Sequence, residues 1–297
     1  MKPPPFGYSR PESVAEAVAV LASTGPDGKV LAGGQSLVPL LNMRLATPEH
    51  IVDINRLTEL AYVSVADGQV MIGALARHAQ VLADPVVAAA QPLIAQALRL
   101  VAHPVIRNRG TTVGSIVHAD PSGEMTAVLA LLGGTVLLAS TSGERSVSAE
   151  NFFLGPLESD VRPDELATQV SLPVLAARAG CAFAEVSRRN GDYAVCGVAV
   201  LVELDDGGGI SRARAAYLSV AGTPLIADLT EACGSAAGAA GRAGSGDLAA
   251  AGRLAMARVS PGSDIHATAA YRRHLAGVLT ERALAGALAH AKGRSDG

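Results

Sequence analysis

Two glycine-bearing stretches carry the residue types best suited to hold an anion. Gly33-Gly34, followed by Gln35-Ser36, has no side chain that would stop backbone N–H groups from wrapping a phosphate. Leu37, Leu40, Leu41 and Arg44 then recur at helical spacing, so the turn opens a helix whose dipole adds to the attraction. The second stretch, RNRGTTVGSIVHADPSGE, offers amides and hydroxyls at Gly110, Thr111, Thr112, Gly114 and Ser115 that complete a cradle from the opposite side. Two such loops suit the pyrophosphate of a dinucleotide. Taken singly, each is more often a tight strand-to-helix connection. Neither has GxGxxG spacing or a well-placed acidic residue about 20 positions on, which argues against a nicotinamide-binding Rossmann domain.

Asp120 and Glu124 follow the second stretch at a spacing that suits accepting hydrogen bonds from ribose or ribityl hydroxyls, and equally suits capping a helix from Met125. His118 has no nucleophile placed for it to activate, and with His78 and His103 it reads as a structural hydrogen-bonding residue. The chain contains no HExxH, no GxSxG and no clustered His and Cys at metal-ligand spacing, so redox or binding roles remain. With no Trp and five Tyr, an aromatic beside a flavin ring must come from a short list, of which Tyr193 is the best candidate.

The elements that must position these residues alternate between strand and helix patterns. Ser13 to Ala22 predicts a capped helix over a small sheet, and Lys29 to Ala32 a short buried strand leading into Gly33-Gly34. His50 to Ile54 and Gln69 to Ile72 predict strands with the Asp67-Gly68 turn between them. Asp84 to Val101 predicts helix, Met125 to Leu132 helix, and Thr135 to Leu138 strand. A composition change over Pro173 to Gly180 marks a boundary. Beyond it a final unit begins with Cys181 to Arg188, and within that unit Tyr193 to Glu203 and Ala213 to Ala221 predict strands of an antiparallel sheet with a turn at Asp205 to Gly209. Glu231 to Gly246 is biased toward Ala, Gly and Ser and reads as a flexible link or weak helix, and Ala267 to Ala289 predicts helix.

At 297 residues and 49% hydrophobic content the chain can bury a substantial core and form two domains. A net charge of -3, with scattered Lys and Arg, argues against a nucleic-acid or membrane surface. No apolar run is long enough to cross a bilayer and the start lacks a secretory signal, so a cytoplasmic location is expected. Three cysteines, Cys181, Cys196 and Cys233, are too few for an iron–sulfur cluster, which must sit on another chain if one is used.

KVLAGGQSLVPLLNMRL, Lys29 to Leu45, resembles the first flavin-binding loop of the medium subunits of the xanthine dehydrogenase and carbon monoxide dehydrogenase family, which are FAD-binding subunits of molybdenum hydroxylases. IRNRGTTVGS, Ile106 to Ser115, continuing through IVHADPSGE to Glu124, is similar to the family's second loop, IRNxGTIGGS. RNGDYAV, Arg189 to Val195, and SDIHATAAYRRHLAGVLTERAL, Ser263 to Leu284, resemble its ring-proximal segment and closing helices, so the likeness covers nearly the whole chain.

The resemblance implies an α+β fold. A two-subdomain FAD-binding domain of the PCMH/vanillyl-alcohol-oxidase type spans 1–176, with subdomains about 1–56 and 57–176. A carbon monoxide dehydrogenase flavoprotein C-terminal-like domain, an antiparallel sheet with helices, spans 177–290, and 291–297 is a tail. It implies that Ala32, Gly33, Gly34, Gln35 and Ser36, flanked by Lys29, Val30, Leu31 and Leu37, hold the FAD pyrophosphate together with Gly110, Thr111, Gly114 and Ser115. Asp120 and Glu124 would meet the sugar hydroxyls, Leu166 would pack against the cofactor, and Tyr193 would lie beside the isoalloxazine. It implies partners: a large subunit with the molybdenum cofactor and a small subunit with [2Fe–2S] clusters, as a dimer of heterotrimers. Electrons would pass from the clusters to FAD and on to an external acceptor, with no catalytic acid or base in this chain and no substrate legible in it. One departure is Thr112-Val113-Gly114 in place of Ile-Gly-Gly; if position 113 needs positive φ, Val113 is strained there, so that either the loop adopts a different local backbone or FAD is held less tightly. A free-standing flavoenzyme and a scaffold subunit without flavin stand as the competing readings.

Overall fold

The computed structural model describes residues 2–234 and 247–295. The chain forms two compact units that do not follow its linear halves: one comprises Met1–Val87, His103–Ala119 and Gly133–Pro173, the other Ala88–Ala102, Asp120–Leu132 and Val174–Gly297.

In the first unit, β1 (Gly7–Ser9), β2 (Gly28–Leu31) and β3 (His50–Asp53) form a parallel sheet in the order β1-β3-β2. Helix α1 (Val14–Thr24) begins where Ser13 caps the Glu16 amide, and buries Ala17, Val18 and Leu21. Helix α2 (Leu37–Asn42) follows the first glycine turn. A five-stranded antiparallel sheet follows, in the order β4-β5-β10-β6-β7: β4 (Val63–Ala66), β5 (Gln69–Gly73), β6 (Thr135–Ser140), β7 (Gly143–Ser148) and β10 (Leu166–Pro173). The Asp67-Gly68 turn joins β4 to β5, whereas β3 and β5 lie in different sheets; the small alternating residues of VSVA hid β4 from the hydrophobic pattern. Short helices α3 (His78–Ala83), α6 (Pro104–Arg107), α7 (Thr112–His118) and α9 (Ala149–Phe152) and a two-stranded ribbon of β8 (Phe153–Gly155) and β9 (Glu158–Ser159) complete the unit.

The helix expected over Asp84 to Val101 is two helices, α4 (Pro85–Ala90) and α5 (Pro92–Leu100), because Pro92 lacks the N–H a continuous helix needs and instead starts the second one. In the second unit, β11 (Ala179–Ser187), β12 (Ala194–Leu204), β13 (Ile210–Leu218) and β14 (Leu225–Asp228) form an antiparallel sheet. Asp205 closes the β12–β13 turn by accepting from the amides of Gly207 and Gly209. One face carries α10 (Thr230–Gly234), α11 (Leu248–Arg258) and α12 (Ala269–Ser295), whose alanines and leucines pack on Val198, Val200, Val202 and Tyr217. Helices α5 and α8 (Glu124–Leu132) cover the other face, and β12 between the two layers is buried at every position except Glu203. The tail expected from 291 is helical through Ser295, the end of α12, and most of the Ala/Gly/Ser-rich stretch, 235–246, lies outside the described residues.

Candidate functional site

The two glycine stretches meet in the first unit. A Cβ on Gly33 would stand 2.5 Å from the Arg109 carbonyl oxygen, 2.8 Å from Gly110 Cα and 3.0 Å from the Thr111 nitrogen, so the loops touch backbone to backbone with no room for a methyl group. Among the described residues the amides of Gly33, Gly34, Gln35, Ser36 and Leu37 have no acceptor. Five adjacent free donors in a half-buried turn are groups suited to an anion, and a side chain at Gly33 would force this turn away from the second loop. Lys29 is exposed on β2, and Val30 and Leu31 are half-buried there.

Two residues that sequence reasoning missed tie these loops together. Asn55 donates from Nδ2 to the Ala32 carbonyl at 2.9 Å and accepts at Oδ1 from Arg77 Nη2 at 2.6 Å. Arg77 donates from Nη1 to the Arg109 carbonyl at 2.7 Å. Burial and the neighbouring Arg109 charge pull the Arg77 pKa below its ordinary value, so two cations lie beside the touching loops. Free amides and paired guanidinium groups make this region attractive to a doubly charged pyrophosphate.

The second stretch is not a loop throughout. Helix α7 runs from Thr112 to His118, with Thr111 as its cap accepting from the Gly114 amide at 3.2 Å. Gly110 donates to Ile106 and Ser115 to Thr111, so this side has fewer free amides; Ser115 is half-buried, while Thr111 is 3% exposed with its hydroxyl engaged as the cap of α7. Thr112 points away: its hydroxyl pairs at 3.1 Å with Nδ1 of His78, whose pKa falls to about 4 because burial and the Arg107 charge oppose protonation. His78 is thus a neutral buttress under Gly110, as its structural reading anticipated. Helices α2 and α7 have 6 and 7 residues, so the helix dipole adds little to the anion site and the free amides carry it.

Val113 sits in the first turn of α7, 2% exposed and outside the positive-φ region. The strain considered for it is absent, because helical backbone accepts a β-branched residue and the surrounding core covers its methyls. Val113→Gly is therefore expected to lower stability by roughly 2–4 kcal/mol, from lost core contacts and a glycine inside a helix, as read by denaturant unfolding. An unchanged midpoint would place Val113 outside the core.

In the second unit the structure brings Asp120, Glu124 and Tyr193 together, and adds Glu185. Asp120 does not cap α8; its Oδ1 accepts from the Ser122 amide in the preceding turn, while Glu124 is the first residue of α8. Burial and the Glu185 charge push the Glu124 pKa up to about 8, and burial pushes Glu185 to about 7. Among the described residues, Glu185 Oε2 is buried without a hydrogen-bond partner. Tyr193 is 64% exposed as a residue, while neighbouring atoms partly desolvate its hydroxyl and, with the Asp120 and Glu124 charges, raise its pKa. Both glutamate pKa values lie above the unfolded value of 4.5, so the folded chain keeps protons that the unfolded chain releases. The stability this confers is complete below that value and is lost as pH rises through 7 and 8. Stability should fall between about pH 5 and about pH 8, and Glu185→Gln should flatten the decline. A decline of the same slope in Glu185→Gln would remove Glu185 as its source.

Leu166 is 2% exposed at the start of β10, paired with Ala139. His103 precedes α6 and is exposed, and His118 closes α7. The three cysteines are free and buried, their thiols pushed up to about 12, 12 and 11 by desolvation. No helix among the described residues is long and apolar enough to cross a membrane.

Residues 4–175 match the model of the FAD binding domain in molybdopterin dehydrogenase, and residues 181–287 that of the CO dehydrogenase flavoprotein C-terminal domain. The chain is 40% identical, over 98% of its length and 97% of the relative's, to the 6-hydroxypseudooxynicotine dehydrogenase complex subunit alpha of Paenarthrobacter nicotinovorans. It is 38% identical, over 96% of its length and 95% of the relative's, to the caffeine dehydrogenase subunit beta of a Pseudomonas species. Among solved structures it is similar to a chain of the carbon monoxide dehydrogenase from Hydrogenophaga pseudoflava that lacks the Mo-pyranopterin moiety of its molybdenum cofactor. That match has a TM-score of 0.89 and 38% identity, covering 98% of this chain and 99% of the other.

Proposed function

Because the chain belongs to the family of FAD-binding medium subunits of molybdenum hydroxylases, we propose that it holds one FAD with the pyrophosphate against the touching glycine loops of its first unit. The observation that carries this reading is the run of five unpaired amides, Gly33 to Leu37, set against Gly110 and Thr111 at backbone contact. Ala32, Gly33, Gly34, Gln35 and Ser36 would bind through the main chain, with Lys29, Val30, Leu31 and Leu37 flanking them. Gly110, Thr111, Gly114 and Ser115 would close the cradle. Asp120 and Glu124 are assigned to sugar hydroxyls, Tyr193 to the ring and Leu166 to packing. We keep 1–176 and 177–290 as the two functional domains.

Bound FAD supplies a centre that exchanges electrons singly or in pairs. The chain's own residues bind and orient it; none is assigned a bond-breaking role. In this reading the chain receives electrons from [2Fe–2S] clusters on a small partner and delivers them to an external acceptor, while substrate is oxidised on a large molybdenum subunit. The assembly is a dimer of heterotrimers in the cytoplasm. The named relatives act on compounds as different as caffeine and carbon monoxide, which supports placing substrate choice outside this subunit. The scaffold reading loses its motive, since Val113 lies in unstrained helix.

Purification of the tagged chain from its native host tests the subunit assignment. Co-elution with a large chain carrying molybdenum and a small chain carrying iron is the expected result. A chain that elutes alone, retains flavin and turns over a substrate would overturn it in favour of a free-standing flavoenzyme.

A further inference from the structure

We propose that Asn55 and Arg77 form a bracket that sets the spacing and peptide orientation of the two FAD loops, and so controls FAD affinity without touching the cofactor. The inference rests on the FAD reading above and adds two positioning residues to it. Asn55 holds the Ala32 carbonyl at 2.9 Å. In a planar trans peptide the C=O and N–H point in opposite directions, so this bond turns the Gly33 amide away from Asn55, where it has no acceptor of its own. Arg77 holds the Arg109 carbonyl at 2.7 Å, and that oxygen is the atom that Gly33 most narrowly clears. The 2.6 Å bond from Arg77 Nη2 to Asn55 Oδ1 joins the two halves. One guanidinium thereby fixes both loops.

The bracket is anchored behind. Asn55 also donates to Asp53 Oδ1 from its amide, 2.9 Å, and from Nδ2, 2.7 Å, and Asp53 Oδ2 accepts from the Tyr8 hydroxyl at 2.5 Å. Stability alone gives little reason for this arrangement. A half-buried guanidinium placed beside Arg109 suffers desolvation and like-charge repulsion that the nearby Asp53 carboxylate offsets only in part, and among the described residues its head group is directed at one main-chain carbonyl and one amide oxygen. A network that orders donors around an anion accounts for both features.

The test compares the full wild-type chain with Arg77→Met, which keeps the apolar stem, and Arg77→Lys, whose single head group reaches one of the two acceptors. FAD affinity is measured by quenching of flavin fluorescence, the environment of bound pyrophosphate by its two ³¹P resonances, and folding by thermal denaturation without cofactor. Arg77→Met is expected to weaken FAD binding roughly tenfold to a hundredfold and to shift the ³¹P resonances, with Arg77→Lys in between and apo melting close to wild type. Should Arg77→Met not fold, the Lys variant carries the same comparison. Wild-type affinity and unmoved ³¹P resonances in a folded variant would overturn the bracket and leave the FAD reading standing. A wild-type chain that takes up no FAD would overturn both.

Discussion

Gly33→Val is expected to give a folded chain that purifies without flavin. Even the first carbon of the new side chain would lie 2.5 Å from the Arg109 carbonyl and 2.8 Å from Gly110 Cα, both main-chain atoms that no rotamer change can move. The loops must part, and the arrangement of free amides proposed to hold the pyrophosphate is then lost. Removing two or three charge-assisted hydrogen bonds costs on the order of 4 kcal/mol, about a thousandfold in affinity. The loss of fold stability should be smaller, about 1–3 kcal/mol, because Gly33 itself lies in a half-buried turn that follows β2 and not within a strand. The steric reason differs from the one that sequence alone suggests: the valine blocks the partner loop before it blocks a phosphate. FAD content after desalting, alongside far-ultraviolet circular dichroism, checks the result; normal flavin content in a folded Gly33→Val chain would show that the two loops do not form the cradle.

The second large effect is on stability. Gly180 is the second residue of β11, directly beneath α12, where an added Cβ would stand 2.1 Å from the Ala287 carbonyl and 2.3 Å from the Ala291 nitrogen. Gly180→Ala therefore pushes the helix backbone off the strand. Helix α12 supplies Leu275, Leu279, Ala283, Leu284, Ala287 and Ala291 to the core of the second unit, so displacing it loosens that whole layer. The expected cost is about 3 kcal/mol or more for a single methyl group. Hydrogen exchange along α12 and the melting temperature read it out, and unaltered protection of α12 in Gly180→Ala would show that helix and strand are not in backbone contact.

Local chemistry was legible in the sequence wherever it acts over a few residues. Ser13 caps α1, Asp67-Gly68 and Asp205 to Gly209 make the turns expected of them, and Gly33-Gly34 does open a strand-to-helix turn. What escaped is set by contacts distant along the chain. TTVGSIVH is rich in β-branched residues and contains a glycine, so its propensity favours a loop, yet burial of Thr112, Val113 and Ile116 makes it helix. The Asn55–Arg77 bracket joins positions 22 residues apart to carbonyls belonging to two other segments, a relation that leaves no periodic trace. Glu185 was hidden because a single carboxylate on a strand normally faces water, whereas here α5 and α8 cover that face. Fold class and the places of the glycine turns were thus readable from spacing and resemblance, and the electrostatics around them were not.

FAD uptake by the full-length chain tests the central claim most directly. After incubation with excess FAD and removal of free cofactor, a flavin absorption spectrum and one FAD released per chain on denaturation are expected, with uptake abolished in Gly33→Val. A folded wild-type chain that retains no FAD under those conditions would contradict the assignment of its glycine loops to flavin.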